Sequence, residues 1–283
     1  MTIDSPAVGT AEYLVQFLHP EKMLGLIPAP GGLDELLAEP ILGVTPDQVE
    51  SARDAFTSNV RAHARRLLDS HPELRREIGS LGLATDTTVA AVGDSITDDL
   101  QSWAYLLGQL LREDFGGPGS TVLNFGRSAD TTADLICRLD RVLAAQPDII
   151  VFQVGSNDAK QFAHSPGQPL VSPAETVRNV AMLDRAARRS GARVAWILPP
   201  TPDFTRLDSC PWFVGGGMKW DAETFTATRA AISSVVNASV DPHTLLDEPS
   251  DLLDDGLHPS AWGQAKICRA LITLLASAEA GAR

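Results

Sequence analysis

The sequence predicts an α/β protein in which a parallel sheet follows an all-α extension. From residue 87 to residue 283, short apolar runs alternate with amphipathic helical segments. Such alternation is typical of a parallel sheet that is covered by helices on both faces. Residues 1–86 carry helical signals and no strand signal. We therefore predict two parts, a helical N-terminal extension at 1–86 and an α/β domain at 87–283.

The extension is predicted to contain one long capped helix and shorter ones. TPDQ at 45–48 combines a capping hydroxyl, a proline at the first helical position and a glutamine three residues after the cap. SHPE at 70–73 predicts a second helix, residues 13–18 suggest another, and PAPGG at 28–32 breaks the chain between them. The long helix has one apolar stripe, which must be buried against the α/β domain or a second copy of the chain: Val49, Ala52, Phe56, Val60, Ala64 and Leu67.

The α/β part is predicted to hold five strands, at Thr88–Val92, Thr121–Phe125, Ile149–Val154, Arg193–Leu198 and Thr244–Leu246. Helices are predicted at 98–113, 131–145, 173–189, 222–238 and 260–276, and SPAE at 172–175 gives the third of them a capping box. Ligands of parallel sheets bind beyond the carboxyl ends of the strands, so we expect the functional site there.

Composition narrows the class of protein. The 283 residues include 23 Lys and Arg against 36 Asp and Glu, a formal net charge of −13 that disfavours nucleic acid and anionic membranes as partners. No apolar run reaches the roughly 20 residues that span a bilayer, and the first residues do not resemble a signal peptide. Three scattered cysteines and the lack of a metal-ligand motif predict neither metal nor cofactor. We expect a soluble, cytoplasmic globular protein.

Polar clusters follow the predicted strands, and each one alone is an ordinary turn or helix cap. Together they could form a hydrolytic site. Asp255 and His258 lie three residues apart before the last helix and could supply a base and its orienting carboxylate, while Ser95 after the first strand could be the nucleophile. The backbone of Ser95 and Gly126 and the side chain of Asn157 could supply donors to an oxyanion.

Four blocks in this order resemble those of the SGNH hydrolases, also called GDSL-type esterases and lipases: GDSIT at 93–97, NFGRS at 124–128, GSND at 155–158 and DGLHP at 255–259. The resemblance implies a flavodoxin-like three-layer α/β/α fold with a five-stranded parallel sheet. It implies Ser95 as nucleophile, His258 as general base and Asp255 as its partner. It also implies an oxyanion hole of Ser95, Gly126 and Asn157. No G-x-S-x-G elbow occurs, which disfavours the other common serine-esterase fold.

The chain departs from the family's pattern at two places. The family often has glycine two residues after the position of Arg127, where this chain has Ala129, and glycine shortly after the first block, where it has Asp98 and Asp99. Two carboxylates in the first turn of a helix fit its dipole. The alternative is that one of them shapes the polar rim of the pocket. Arg127 is expected to pair with such an acid, with contact to an anionic substrate group as the alternative.

Candidate pocket residues lie in the long connection after the fourth strand. Loops above about 12–15 residues are often functional, and this one carries Trp212 and Trp220 around a triple glycine. We expect either a lid or acyl-pocket wall, or aromatics packed on the rest of the chain. His164, six residues after Asp158, is a further pocket candidate.

The leading hypothesis is a serine esterase that cleaves a carboxylic ester through an acyl-enzyme. The alternative is an acyltransferase that passes the same acyl group to an alcohol or amine, with the extension and the aromatic loop closing over the site. A silent binding module or a phosphate-binding turn at 93–97 would leave Asp255 and His258 without a use. The expected partner is a small-molecule ester, and the extension is a candidate surface for homo-oligomer formation.

Overall fold

The sheet of the protein consists of five short parallel strands, of which the three central ones are the most buried. The computed structural model describes residues 6–23, 40–41 and 43–280. In chain order the strands are β1 (Thr88–Gly93), β2 (Thr121–Gly126), β3 (Ile149–Gln153), β4 (Gln161–Phe162), β5 (Arg193–Ile197), β6 (Met218–Lys219) and β7 (Ser239–Val240). Five of them form a parallel sheet in the order β2-β1-β3-β5-β7, and β4 pairs with β6 in a separate antiparallel ribbon. The strand order reverses at β1, and ligands of such sheets bind at this switch point.

The α-helices before β1 are α1 (Ala11–Phe17), α2 (Pro20–Met23), α3 (Pro46–Ser70) and α4 (Glu73–Ser80). Those after β1 are α5 (Ser95–Asp98), α6 (Trp103–Leu110), α7 (Thr132–Ala144), α8 (Pro173–Arg189), α9 (Phe204–Ser209), α10 (Pro211–Gly215), α11 (Ala222–Ser233) and α12 (Ala261–Ala280). Short 3₁₀ turns lie at Glu113–Phe115, Pro242–Thr244 and Pro249–Asp251. Within the described ranges, no helix combines the length and the apolar character that a bilayer crossing requires.

The predicted fold class is confirmed, with two local corrections. The predicted strand Thr244–Leu246 is wrong, because Pro242 cannot donate to a sheet ladder and begins a 3₁₀ turn; the fifth strand is β7. The predicted helix at 98–113 is divided. The Asp99 carboxylate accepts the N–H of Gln101 at 2.7 Å, a local bond that ends α5 and delays α6 to Trp103.

Of the three helix caps that the sequence predicts, one formed in full. The cap predicted at 70–73 did not form, because Ser70 still belongs to α3 and α4 begins without a side-chain cap. Thr45 and Gln48 exchange both hydrogen bonds of the capping box at the start of α3. Ser172 accepts the N–H of Glu175 at the start of α8, but the Glu175 carboxylate pairs with Arg178 instead of completing a box. The predicted break at 28–32 lies outside the described residues.

Helices cover both faces of the sheet. Apolar side chains of α7, α8 and α11 pack on one face, while those of α4, α6, α12 and the second half of α3 pack on the other. The first half of α3 packs against α1, with Phe56 and Val15 in one cluster. The apolar stripe of α3 is therefore buried within this chain.

Candidate active site

Ser95 lies directly beyond the carboxyl end of β1, at the first position of α5. Asp94 caps this short helix by accepting the N–H of Ile96 at 3.0 Å. Ser95 Oγ lies 2.8 Å from His258 Nε2, and His258 Nδ1 lies 2.7 Å from Asp255 Oδ2. The structure thus brings together the three residues that the sequence proposed as nucleophile, base and orienting acid. A serine, a histidine and a carboxylate in this line can carry out nucleophilic acyl chemistry.

The turn before α12 orients its own carboxylate. Asp255 Oδ1 accepts the backbone N–H groups of Leu257 at 2.8 Å and His258 at 2.9 Å, which leaves Oδ2 for the imidazole. Gly256 has a φ of +73°, and a Cβ at this position would lie 2.7 Å from the backbone oxygen of Asp203. Only glycine fits this turn without displacing its neighbours.

Asp255 and His258 are both buried, and each shifts the pKa of the other. Burial disfavours the imidazolium, but the facing Asp255 carboxylate outweighs it and raises the pKa of His258 above its ordinary value. Burial likewise works to raise the pKa of Asp255, and the charge of His258 outweighs it, so this pKa is lowered. His258 therefore accepts a proton more readily than a free histidine, as a general base requires.

Asn157, beyond the end of β3, has one amide hydrogen that its neighbours do not use. Its Nδ2 donates to the Asp130 backbone oxygen at 3.1 Å, and its Oδ1 accepts from Lys160 Nζ at 3.1 Å. These two bonds fix the amide plane. The second Nδ2 hydrogen and the Ser95 N–H have no acceptor among the described residues. Both are available to a developing oxyanion.

Gly126 does not fit the donor role that the sequence gave it. Its N–H donates to Asn124 Oδ1 at 2.8 Å, and glycine is needed because a Cβ would lie 2.5 Å from the Asp98 backbone nitrogen. Ala129 lines the cavity beside Ser95, and its N–H has no acceptor in the described part of the chain. Its φ of +71° is uncommon for a residue other than glycine. The expectation for Gly126 is therefore corrected, and Ala129 is the candidate third donor.

A cavity of about 110 Å³ adjoins Ser95, Asn157 and His258. Trp212 and Trp220 both line it, which is one of the two alternatives that the sequence left open for the aromatic connection, and Trp220 also packs in a buried apolar cluster, which is the other. Trp212 is 42% exposed, whereas Trp220 is buried and donates its Nε1–H to the Ser156 backbone oxygen at 2.8 Å. The remaining lining is mostly apolar: Tyr13, Leu14, Phe17, Leu18, Ser128, Ala129, Lys160, Phe213, Met218, Leu257.

Two further candidates do not line this cavity. Arg127 pairs with Asp130, with 2.5 Å between Nε and Oδ1, so its expected ion pair exists but with a different acid from the two considered. His164 is exposed and stacks on Phe162 at a ring distance of 5.6 Å. Among the residues that the structure describes, no three His, Cys, Asp or Glu side chains are grouped so that they could hold a metal ion.

Helix α1 contacts the site, although no motif indicated it. The Tyr13 hydroxyl donates to Asp255 Oδ2 at 2.8 Å, and the Phe17 ring lies 4.3 Å from the His258 ring. Burial and the adjacent Asp255 carboxylate raise the pKa of Tyr13, so the phenol remains a donor. Tyr13 and Asp255 are 242 positions apart in the sequence, too far for any local pattern to relate them.

The two carboxylates after the first block hold this N-terminal segment in place. Asp98 Oδ1 lies 2.8 Å from His19 Nδ1 and accepts from Lys22 Nζ at 2.5 Å. Burial opposes its charge, but these two neighbours outweigh it and lower the pKa of Asp98 to about 2. Asp99 Oδ1 accepts from Gln16 Nε2 at 2.8 Å. Both carboxylates are fully buried, so their role is attachment of α1 and α2 rather than a solvated helix start or a pocket rim.

The fold and site agree with a known family. The model of the GDSL-like lipase/acylhydrolase family matches residues 91–266, which is more than half of the chain. This chain therefore belongs to the GDSL-like lipase/acylhydrolase family, as the four blocks indicated. Membership supports a hydrolase of ester bonds. Helices α1 to α4 lie before the matched residues.

Solved structures show the same fold. A lipase/acylhydrolase from Enterococcus faecalis aligns with a TM-score of 0.53 and 23% identity over 68% of this chain and 96% of that chain. A putative GDSL-like lipase from Parabacteroides merdae gives 0.55 and 18% over 69% and 98%. An acetyl xylan esterase from Geobacillus stearothermophilus gives 0.52 and 18% over 68% and 96%. A comparison with curated proteins finds no match.

Proposed function

We propose that this protein hydrolyses a carboxylic ester through an acyl-enzyme on Ser95. The observation that carries the proposal is the hydrogen-bonded line from Ser95 Oγ through His258 to Asp255, with separations of 2.8 and 2.7 Å. His258 Nε2 takes the hydroxyl proton as Oγ attacks the carbonyl carbon. Asp255 stabilises the imidazolium that forms.

The negative charge then develops on the former carbonyl oxygen. We assign its donors as the backbone N–H of Ser95, the backbone N–H of Ala129 and the Nδ2–H of Asn157. Loss of one such donor typically costs about 100–1,000-fold in rate. His258 next gives its proton to the leaving alcohol. Water attacks the acyl-enzyme with His258 again as base, which releases the acid and restores Ser95.

The raised pKa of His258 sets the expected pH dependence. His258 must be neutral to take the Ser95 proton, so activity is absent where it is protonated and appears as the pH rises. The facing carboxylate of Asp255 outweighs burial and raises this pKa. A pH profile of kcat/KM is therefore expected to have its acid-side midpoint above about 6.5, the ordinary histidine value.

The decisive experiment replaces Ser95. Ser95→Ala should lower hydrolysis of p-nitrophenyl acetate by about 10⁴-fold or more, and it should abolish labelling by a fluorophosphonate. The exposed Ser209 provides a matched control, since Ser209→Ala should keep both properties. A wild-type protein that takes no label and cleaves no ester would exclude the proposed mechanism.

Hydrolysis is favoured over transfer by the exposure of the cavity to solvent. Ser95 is only partly buried and Trp212 in the cavity lining is 42% exposed, so water can reach the acyl-enzyme unless an acceptor displaces it. Product analysis in the presence of an alcohol and an amine should find free acid as the main product. A predominant acyl-alcohol or acyl-amide product would instead indicate an acyltransferase.

A further inference from the structure

One wall of the cavity beside Ser95 comes from outside the family region. Leu14, Phe17 and Leu18 line it, whereas the family match begins at residue 91. These side chains belong to α1 and to the residue that follows it. The size of the cavity is therefore set in part by a segment that the shared fold does not include.

This wall is fixed from several directions. Tyr13 donates to Asp255 at 2.8 Å on one side of α1, and Gln16 donates to Asp99 at 2.8 Å on another. Val15, on the side away from the cavity, is 2% exposed and packs against α3. A helix held by buried hydrogen bonds and apolar packing together has little freedom to swing away. The cavity is thus a fixed dimension of the site rather than a gated one.

The cavity is also small. Its volume is about 110 Å³. An apolar protein cavity of about 150 Å³ holds one benzene molecule, so this one has room for a chain of roughly two to four carbons. The cavity is lined by Ser95, Ala129 and Asn157, around which the acyl carbonyl must sit. That carbonyl carries two substituents, the acyl chain and the alcohol, and we assign the acyl chain to the cavity.

We propose that the enzyme acts on esters of short-chain acyl groups, and that Leu14, Phe17 and Leu18 of the N-terminal segment set the length limit. This inference depends on the proposed function of Ser95 as the acylated residue. Longer chains meet the side of α1. To make room for them, α1 would have to move outward and break its hydrogen bonds to Asp255 and Asp99.

The test measures kcat/KM for p-nitrophenyl acetate, butyrate, hexanoate and octanoate. For the wild type, the value for octanoate should be at least about tenfold below that for butyrate, since a misfit of one methylene alone costs about 10–200-fold. Leu14→Ala removes side-chain volume from the wall and should raise the octanoate-to-acetate ratio about tenfold or more. Leu14→Phe, which fills the cavity, should lower the butyrate-to-acetate ratio.

Val15→Ala is the matched control. It truncates the neighbouring residue of the same helix on the side that packs against α3, so it should weaken the protein without changing the chain-length ratios. Fluorophosphonate titration gives the concentration of intact sites in each variant, so loss of folding is separated from loss of rate. A second series, acetate esters of methyl, butyl and octyl alcohols, should show a weaker length dependence than the acyl series.

Three results would overturn the inference while leaving the esterase proposal standing. The wild type could cleave octanoate as fast as acetate. Leu14→Ala and Val15→Ala could change the ratios equally. The alcohol series could show the steeper length limit, which would place the alcohol in the cavity. If no ester of either series is cleaved and no label is taken, the proposed function itself fails.

Discussion

Helices α1 and α3 both precede β1, but they contact different parts of the protein. Helix α1 places Tyr13 on Asp255 and Phe17 on His258, at the centre of the candidate site. The second half of α3 places Val60 and Leu67 in the core beneath the sheet, together with residues of α4, α6 and α12. The N-terminal extension therefore combines an active-site wall with a layer of core helices.

The two positions have different physical consequences for the protein. An apolar helix that packs on the sheet adds buried apolar surface, which stabilises the fold by about 25 cal/mol per Å². This contribution does not depend on the residues of the candidate site. A helix that reaches the carboxyl ends of the strands changes the shape of the cavity beside Ser95. We therefore expect substitutions in α3 to alter stability, and substitutions of the α1 side chains that face the site to alter turnover or selectivity.

The largest expected effect is in α3. Leu67 is 2% exposed in the core, and Leu67→Ala should lower the free energy of unfolding by about 2–5 kcal/mol because it leaves a cavity. Urea unfolding measures this loss. The kcat/KM per fluorophosphonate-titrated site should stay unchanged. A per-site loss of rate as large as that of an α1 variant would contradict the division between the two helices.

Tyr13→Phe should have the opposite pattern of effects, with a loss of turnover rather than of stability. It removes the hydroxyl that donates to Asp255 and keeps the ring that packs on Phe17 at 5.0 Å. Because a hydrogen bond to a charged group is worth roughly 1.5–3 kcal/mol, and the backbone donors to Asp255 remain, kcat should fall about tenfold. Steady-state kinetics at several pH values measure the change.

The pH profile of this variant distinguishes a role of Tyr13 in positioning Asp255 from a general loss of structure at the site. Without the phenol, the Asp255 charge is shared less and acts more strongly on His258, so the acid-side midpoint of kcat/KM should move to higher pH. A variant that loses rate with an unmoved midpoint would argue against a bond from Tyr13 to the working carboxylate. KM for p-nitrophenyl acetate should change less than kcat.

The smallest effect is expected at Lys160, which lines the same cavity as α1. Its ammonium fixes Asn157 through Oδ1, and no carboxylate lies within ion-pair distance of it among the described residues. Burial lowers the pKa of Lys160. Lys160→Met should lower kcat about fivefold by loosening a donor of the oxyanion site, with KM little changed. The exposed Lys219→Met is the control, and an equal loss there would remove the role of Lys160.

The strand ends were predictable because the chemistry there is local. Ser95 lies two residues after the end of β1, and Asp255 and His258 lie in one turn. Short sequence motifs are therefore sufficient to predict where these residues lie. The parallel sheet was predictable from apolar runs that are buried on both faces. For the proposed oxyanion hole the sequence indicated Gly126, but the structure shows its N–H donating to Asn124 Oδ1. The useful signal was the departure at Ala129, because a position that often carries glycine in the family is held here at a φ of +71°.

The wall of the cavity could not be predicted from the sequence. Tyr13 and Gln16 read as ordinary positions of a short amphipathic helix, and their partners Asp255 and Asp99 are distant in the chain. Such contacts depend on where α1 docks, which is decided by packing against α3 and not by a motif. Asp98 and Asp99 did depart from the family's pattern, and that departure marks where the N-terminal segment is attached.

The bond between Tyr13 and Asp255 also bears on how the enzyme is made. It joins positions that are 242 residues apart. At a synthesis rate of about 5–20 residues per second, roughly 12–50 s separate the two on the ribosome. Ser95 and α1 emerge early, whereas Asp255 and His258 emerge near the end. A growing chain therefore carries Ser95 without the hydrogen-bonded pair of His258 and Asp255 that adjoins it in the folded protein, and under the proposed mechanism it could hydrolyse an ester only after nearly all of the protein has been synthesised.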